Sequence, residues 1–351
     1  TSTDGDRFVV GGTSQIIGTN SGIYNAAPVP SNGNLYTIEV TGGTIQGGTA
    51  SGNAGIYNSA NGTISVSGGN ISGYNGIQNG MDGRSTTGRV VVSGTSTEIS
   101  GTYGIYNYSE ASGTDNYAVE VNGGTVIGGT TANITSGQSG IYNHGDGTIY
   151  IAGGNISGGY AIQNGSSTGT PMGSVIVTQT SSSAPTLISG TFSGIYSYSS
   201  LSGENSFAVQ MDNGTIQSGT DSSQGGPAIM NRGNGFVDIS GGYVTGRAQG
   251  VRNGYSSSSS GKVRISGTAN ILATQAVYSS SISTEAIVVE GGTITTNGDS
   301  VSARAINLVS SGTAIISGGI INGGTRTGIA SLGTSNVRIN AGTVTGDTAG
   351  I

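Results

Sequence analysis

Gly22-Ile23-Tyr24-Asn25 is the stretch whose recurrence decides the fold. It returns as Gly-Ile-Tyr-Asn at 55–58, 104–107 and 140–143, as Gly-Ile-Gln-Asn at 76–79, as Ala-Ile-Gln-Asn at 161–164 and as Gly-Ile-Tyr-Ser at 194–197. Further along it loosens to Ala-Ile-Met-Asn at 228, Gly-Val-Arg-Asn at 250, Ala-Val-Tyr-Ser at 276, Ala-Ile-Asn-Leu at 305 and Gly-Ile-Ala-Ser at 328, and Gly350-Ile351 carries its last trace. Self-similarity at roughly 20 to 50 residues is the signature of a solenoid or array.

Two further columns run in step with the first. One is a tetrad with apolar second and fourth residues, such as Ile38/Val40, Ile64/Val66, Val119/Val121, Val209/Met211 and Val263/Ile265. The other is a Gly-Gly-Thr-Ile-like unit whose apolar member is Ile45, Ile71, Ile99, Val126, Ile156, Ile188, Ile216, Val244, Ile271, Ile294, Ile321 and Val344 in turn. The apolar period is 2 and β-branched residues dominate, which excludes a run of amphipathic helices and puts one face of each segment inside. Three short β segments per turn, separated by Gly or Asn corners, predict an all-β parallel β-helix (β-solenoid) of about twelve to thirteen coils. With 68 glycines to order, no single coil can offset its own backbone entropy, so stacking must carry the stability. The expectation is one β-helix domain over residues 1–351, a segment of a longer chain.

A second period lies above the first. Copies of the opening unit at 22, 104, 194 and 276 are 82, 90 and 82 residues apart, and each interval holds three coils. The first coil of a triplet carries an insertion before its third strand (46–54, 127–139, 217–227, 295–304). The second has a long loop after that strand (80–88, 165–173, 254–261), and the third ends in a loop at 26–36, 108–117, 198–207 or 280–285. This three-coil super-repeat sends the longest loops out of one corner on consecutive coils.

Composition narrows function. There is no cysteine and a single lysine, Lys262, so disulfides, thiolate metal sites and Lys-to-Asn cross-links drop out. The net charge is −6; eight of the eleven basic residues follow residue 231 without clustering, which argues against nucleic acid. No run of 18 apolar residues is present to insert in a membrane. Polysaccharide cleavage on such a fold needs stacked carboxylates, yet the outward position of the first column reads Glu39, Ser65, Val91, Glu120, Tyr150, Ile176, Gln210, Asp238, Arg264, Val288, Ile315. Within it Asp238 and Arg264 are expected to form a surface ion pair on adjacent coils. His144 is alone in its type and reads as a surface-loop residue. The Ca²⁺-binding Gly-Gly-x-Gly-x-Asp nonapeptide is missing, and the Thr44, Thr125, Thr215 and Thr293 column is too interrupted for an ice-binding face. No catalytic residue, cofactor or metal site is expected.

The residue after the recurring Ile should face outward, and it reads Tyr24, Tyr57, Gln78, Tyr106, Tyr142, Gln163, Tyr196, Met230, Arg252, Tyr278, Asn307, Ala330. Tyr24, Tyr57, Tyr106, Tyr142 and Tyr196 are therefore the candidate ligand-binding residues, since tyrosine faces suit sugar rings and peptide planes. The alternative is that these rings only stack on one another and shield backbone. The following Asn reads as structural: it tolerates the left-handed conformation at a turn, and its amide can hydrogen-bond along a ladder.

Gly-Gly-Thr-Ile, Gly-Gly-Asn-Ile and Gly-Ile-Tyr-Asn resemble the tandem Gly-Gly-x-Ile and Phe-x-x-Asn motifs of chlamydial polymorphic outer-membrane proteins, and more closely the Ser-Gly-Gly-Thr-Ile-Ser-Gly repeats of large Gram-positive adhesins. The chain departs from the chlamydial pattern in having Gly or Ala where Phe belongs and no cysteine. The resemblance implies a right-handed parallel β-helix displayed extracellularly at a bacterial cell surface, acting as adhesin or rigid stalk and contacting a glycan or a host or neighbouring-cell protein. Two alternatives stand beside it. One is a filament or sheath subunit that self-associates end to end; the other is a polysaccharide-degrading enzyme or phage tailspike.

Overall fold

The computed structural model describes residues 7–26, 37–113, 115–130, 138–168, 171–182, 184–219 and 226–350. Ile351, most of the 26–36 loop, and the centres of the 127–139 and 217–227 insertions lie outside the described residues. Among those described there is no helix, and parallel stacked coils form a β-solenoid of about twelve turns. The chain clusters into two compact units, residues 1–165 with 179–186 (the first unit) and residues 166–178 with 187–351 (the second).

In the first unit the strands Phe8–Val10, Ile38–Gln46, Thr63–Ser72, Arg89–Val92, Val119–Ile127 and Thr148–Asn164 pair in parallel, each with the next. The third column pairs likewise through Ser21–Asn25, Ala54–Asn58, Asn75–Asn79, Tyr103–Asn107 and Ser139–Asn143. Ile45, Ile71, Ile99, Val126 and Ile156 stack directly above one another, as do Ile56, Ile77, Ile105, Ile141 and Ile162, and all are fully buried. Each contributes roughly 1.5 to 3 kcal/mol of transfer free energy. The second unit repeats the plan with, for example, Ser174–Val177, Val209–Met211, Phe236–Ile239 and Lys262–Ile265 in its first column.

The structure refines two expectations. First, the first two strand columns are often one strand: Ile38–Gln46, Thr63–Ser72 and Val119–Ile127 each run through the Gly-Gly pair with a register shift. The second glycine makes the bend. Gly69 sits at φ +89°, and a Cβ there would lie 2.6 Å from the Gly43 carbonyl oxygen one turn away. Second, the recurring Asn does not adopt the left-handed conformation; Asp115 is the one non-glycine with positive φ among the described residues. At three of these positions a left-handed residue follows the Asn directly. Gly80, Gly165 and Gly254, each directly after a recurring Asn, have φ of +86°, +82° and +88°.

Instead the Asn side chains point inward and bond to each other. Asn25 donates to Asn58 at 2.8 Å, Asn58 to Asn79 at 2.9 Å, and Asn79 to Asn107, Asn107 to Asn143 and Asn143 to Asn164 at 2.8 Å each. The second amide hydrogen reaches a loop carbonyl, as from Asn58 to Gly62, Asn79 to Gly88 and Asn143 to Gly147. A buried primary amide left unpaired would be costly, and the ladder satisfies it. In this way the ladder also pins the base of the loops that follow the third strand.

Candidate aromatic site

With Ile and Asn turned in, the residue between them is turned out. Parallel register places Tyr24 on Tyr57, Tyr57 on Gln78, Gln78 on Tyr106, Tyr106 on Tyr142 and Tyr142 on Gln163. The outward column therefore forms as expected, but it is not a uniformly open strip. Tyr24 is 60% exposed, Tyr57 and Tyr106 are half-buried, and Tyr142 is only 9% exposed. Neighbouring rings do the covering.

Tyr103 lies 4.9 Å from Tyr106 and 5.6 Å from Tyr142 between ring centroids, and also 6.0 Å from Tyr74. Tyr106 packs edge-on against Tyr142 at 4.8 Å and at the same distance against Tyr108. His144 closes the group, 5.0 Å from Tyr108 and 5.7 Å from Tyr142. It is thus half-buried against three tyrosines rather than a free loop residue. Tyr24 and Tyr57 form their own edge-on pair at 5.3 Å, with Ser59 donating to the Tyr24 hydroxyl at 3.1 Å. Edge-to-face geometry is the arrangement the ring quadrupole favours.

Burial sets the acidity of these phenols. It pushes Tyr103 and Tyr142 up to about 12, with neighbouring tyrosines adding to the effect. Tyr106 is raised further, by burial first and then by its hydrogen bond to Tyr108, and Tyr57 is raised by burial and by Tyr24. All of them stay neutral hydrogen-bonding groups at neutral pH.

At the edge of the cluster an open groove of about 250 Å³ is walled by the loops after the third strand on consecutive turns. Asp82, Arg84 and Ser85 come from one loop, Tyr108 and Glu110 from the next, and His144 and Asp146 from the third. The expected single corner for the long loops is thus where the groove lies. The Ser85 hydroxyl donates to Glu110 at 3.2 Å, and the Glu110 backbone NH donates to the Thr86 carbonyl at 2.8 Å, holding two walls together. The Tyr108 and His144 rings, set among carboxylate-, guanidinium- and hydroxyl-bearing side chains, can bind a polyhydroxylated ring by face contact and by hydrogen bonds at its edge. No group of three His, Cys, Asp or Glu that could hold a metal occurs among the described residues.

Tyr74, Tyr103, Tyr108 and His144 escaped the reading of the outward column. One signal could have found two of them: the residue after the recurring Asn or Ser reads Tyr108, His144, Tyr198 and Arg232 at four third strands, a column of its own. Backbone hydrogen bonds keep that column in step, Tyr108 N to Asn79 O at 2.7 Å, His144 N to Asn107 O at 2.8 Å and Arg232 N to Ser197 O at 2.8 Å.

In the second unit the outward column pairs Tyr196 with Met230, Met230 with Arg252, Arg252 with Tyr278 and Tyr278 with Asn307. Tyr196, the remaining candidate, is half-buried and accepts a hydrogen bond from the Arg232 guanidinium at 2.5 Å. In the first column the carboxylates are already engaged: Glu39 with Arg7 at 2.8 Å, Glu120 with Arg89 at 3.3 Å and Asp238 with Arg264 at 2.7 Å. The last pair is bidentate and Asp238 is nearly buried, so it is tighter than the surface pair expected.

These features define the chain as a parallel β-solenoid with an aromatic outer face. Comparison with family models, curated proteins and solved structures finds no match.

Proposed function

We propose that the chain is a surface-displayed bacterial β-solenoid of the adhesin or stalk kind, and that the tyrosine cluster of the first unit is its contact face for a neutral glycan. The observation that carries this reading is the groove beside Tyr108 and His144, where two packed rings meet a rim of polar loop side chains on three successive turns. Charge supports the choice of a neutral ligand. The first unit has three basic against nine acidic residues, a balance of −6, so polyanions are repelled from it.

The test is a glycan array probed with the purified chain and with Tyr108→Ala. Retention of several neutral glycans by the wild type and their loss in the variant is the expected result. An array without neutral-glycan binding, together with unchanged cell attachment after removal of the segment from its producer, would defeat the proposal. Electron microscopy of the same preparation separates the filament alternative, which requires end-to-end particles whose length grows with concentration.

A further inference from the structure

Among the described residues, Arg7, Arg89, Lys262 and Arg264 have carboxylate partners within 4 Å. Arg232 and Arg252 do not have one among the described residues, and unlike those four they share one tyrosine ring. The Arg232 guanidinium lies 4.0 Å from the centroid of Tyr255 and 5.2 Å from that of Tyr198. Arg252 lies 5.3 Å from Tyr278 and 5.8 Å from the same Tyr255. The two come from consecutive turns, Arg252 from the strand Gln249–Asn253 and Arg232 from the residue after Ile229–Asn231, which pairs with it. Tyr255 stands between them on the loop after the third strand and is 57% exposed.

Two like charges held against one ring repel each other, and cation–π contact offsets only part of that cost. The Arg252 Nε is moreover buried without a hydrogen-bond partner. Arg232 has only the neutral Tyr196 hydroxyl as an internal acceptor, and a pair of guanidinium charges without a carboxylate is completed by an external anion. The rings beside them offer flat apolar faces at the same spot.

We propose that this Arg–Tyr stack of the second unit is a binding site for an acidic polysaccharide, its guanidinium groups taking carboxylate or sulfate substituents and its tyrosines the sugar rings. This rests on the reading of the chain as a glycan-binding solenoid but uses different residues from the neutral site. A nucleic acid fits less well. Its affinity comes from phosphates neutralised along a basic stripe, whereas the second unit has eight basic and eight acidic residues and presents only this local pair.

The experiment titrates the full chain with polygalacturonate, dextran sulfate, uncharged dextran and single-stranded oligothymidylate at low and moderate salt. Binding of polygalacturonate or dextran sulfate, weakened by salt and accompanied by a rise in melting temperature, is expected, and the two arms separate carboxylate from sulfate recognition. Arg232→Gln and Arg252→Gln should each weaken it about tenfold or more, as expected for a lost charged hydrogen bond. Arg252→Lys, which keeps charge without the planar fork, should fall between. Tyr255→Ala, on an exposed loop whose loss leaves the core intact, should cost about fivefold, which keeps the test valid if an arginine variant folds poorly. Absence of binding to both acidic polymers, unchanged affinity in these variants, or oligothymidylate binding as tight as theirs would overturn the proposal. Because Tyr108→Ala should leave acidic-polymer binding intact, failure here is distinguishable from failure of the neutral site.

Discussion

The two units use the same strand column for different surfaces, and the inner ladder shows why they can. In the first unit the position after the outward residue is Asn25, Asn58, Asn79, Asn107, Asn143 and Asn164 without interruption. In the second it is Ser197, Asn231, Asn253, Ser279, Leu308 and Ser331, and only Asn231 to Asn253 repeats the amide-to-amide bond, at 2.9 Å. Beyond it Asn253 reaches the Ser279 hydroxyl at 3.4 Å. The apolar core stacks equally well in both units, so the ladder is not what makes the coil; it fixes the turn that leads into the loops. Where it is continuous, loop bases are uniform and rings from three turns converge; where it breaks, the outer column diversifies to Met230, Arg252, Asn307 and Ala330.

Interrupting the long ladder should therefore have the largest effect. Asn107 makes side-chain bonds to Asn79, Asn143 and Ser109, all buried. Asn107→Ala should destabilise the protein by about 3 kcal/mol, because it leaves buried amide groups of two neighbours short of a partner. Asn253→Ala, at the end of the short ladder, should cost about 2 kcal/mol. Chemical denaturation of both variants measures the difference, and equal losses would mean that ladder continuity adds nothing beyond each local bond.

The tyrosine column gives the next contrast. Tyr142 is nearly buried under Tyr103, Tyr106 and His144, while Tyr24 lies open. Tyr142→Ser should cost roughly 2 to 3 kcal/mol through lost burial and ring contact, whereas Tyr24→Ser should stay within about 0.5 kcal/mol of the wild type. Alkali sharpens the same point. Tyr103 and Tyr142 are held neutral by burial, with folded-state values of about 12 against 10.0 for a free phenol. Below pH 10 both states keep the proton and stability is unaffected. Between pH 10 and about 12 the unfolded chain loses protons that the folded chain retains, so stability falls as pH rises through that window. Melting temperature across it should drop for the wild type and drop less for Tyr142→Phe, which cannot ionise at that position.

Much of this was legible in the sequence. The recurring Ile, the outward residue and the following Asn predict the register, and Tyr24 on Tyr57 through Asn307 on Ala330 pair as the alignment of repeats requires. A residue's depth is another matter, because it is set in part by side chains outside its column. Tyr142 is covered by Tyr103, from a strand start, and by His144, from a loop, neither of which the period of the Ile marks. Intrinsic preference alone points to Asn for the left-handed turn. The structure gives it to the adjacent Gly80, Gly165 and Gly254, which are better suited to it, and this frees the Asn side chain for the ladder. The Arg–Tyr stack was hidden for the same reason as the tyrosine cluster: Arg232 and Tyr255 belong to loops, and only stacking brings them together.

Ion pairs supply the smallest contrast, and it lies within the second unit. Arg264 forks onto Asp238 with both bonds at 2.7 Å, under Phe207 and Phe236, whose rings meet at 5.1 Å. Two residues away on the same strand, Lys262 meets Glu285 at 2.8 Å with side chains 38% and 52% exposed. The two distances are almost equal, so distance alone would rank the pairs together. Exposure separates them. Removing the guanidinium leaves the Asp238 charge in a site where its side chain is 8% exposed, while removing the ammonium leaves Glu285 hydrated. Arg264→Ala should thus lower stability by about 1 to 2 kcal/mol and Lys262→Ala by less than about 0.5 kcal/mol. Added salt should erase the second effect and only reduce the first, since a partly buried pair is poorly screened. Denaturation of both variants at low and high salt measures this, and an Arg264→Ala loss that vanished in salt would show the pair to be no more than a surface contact.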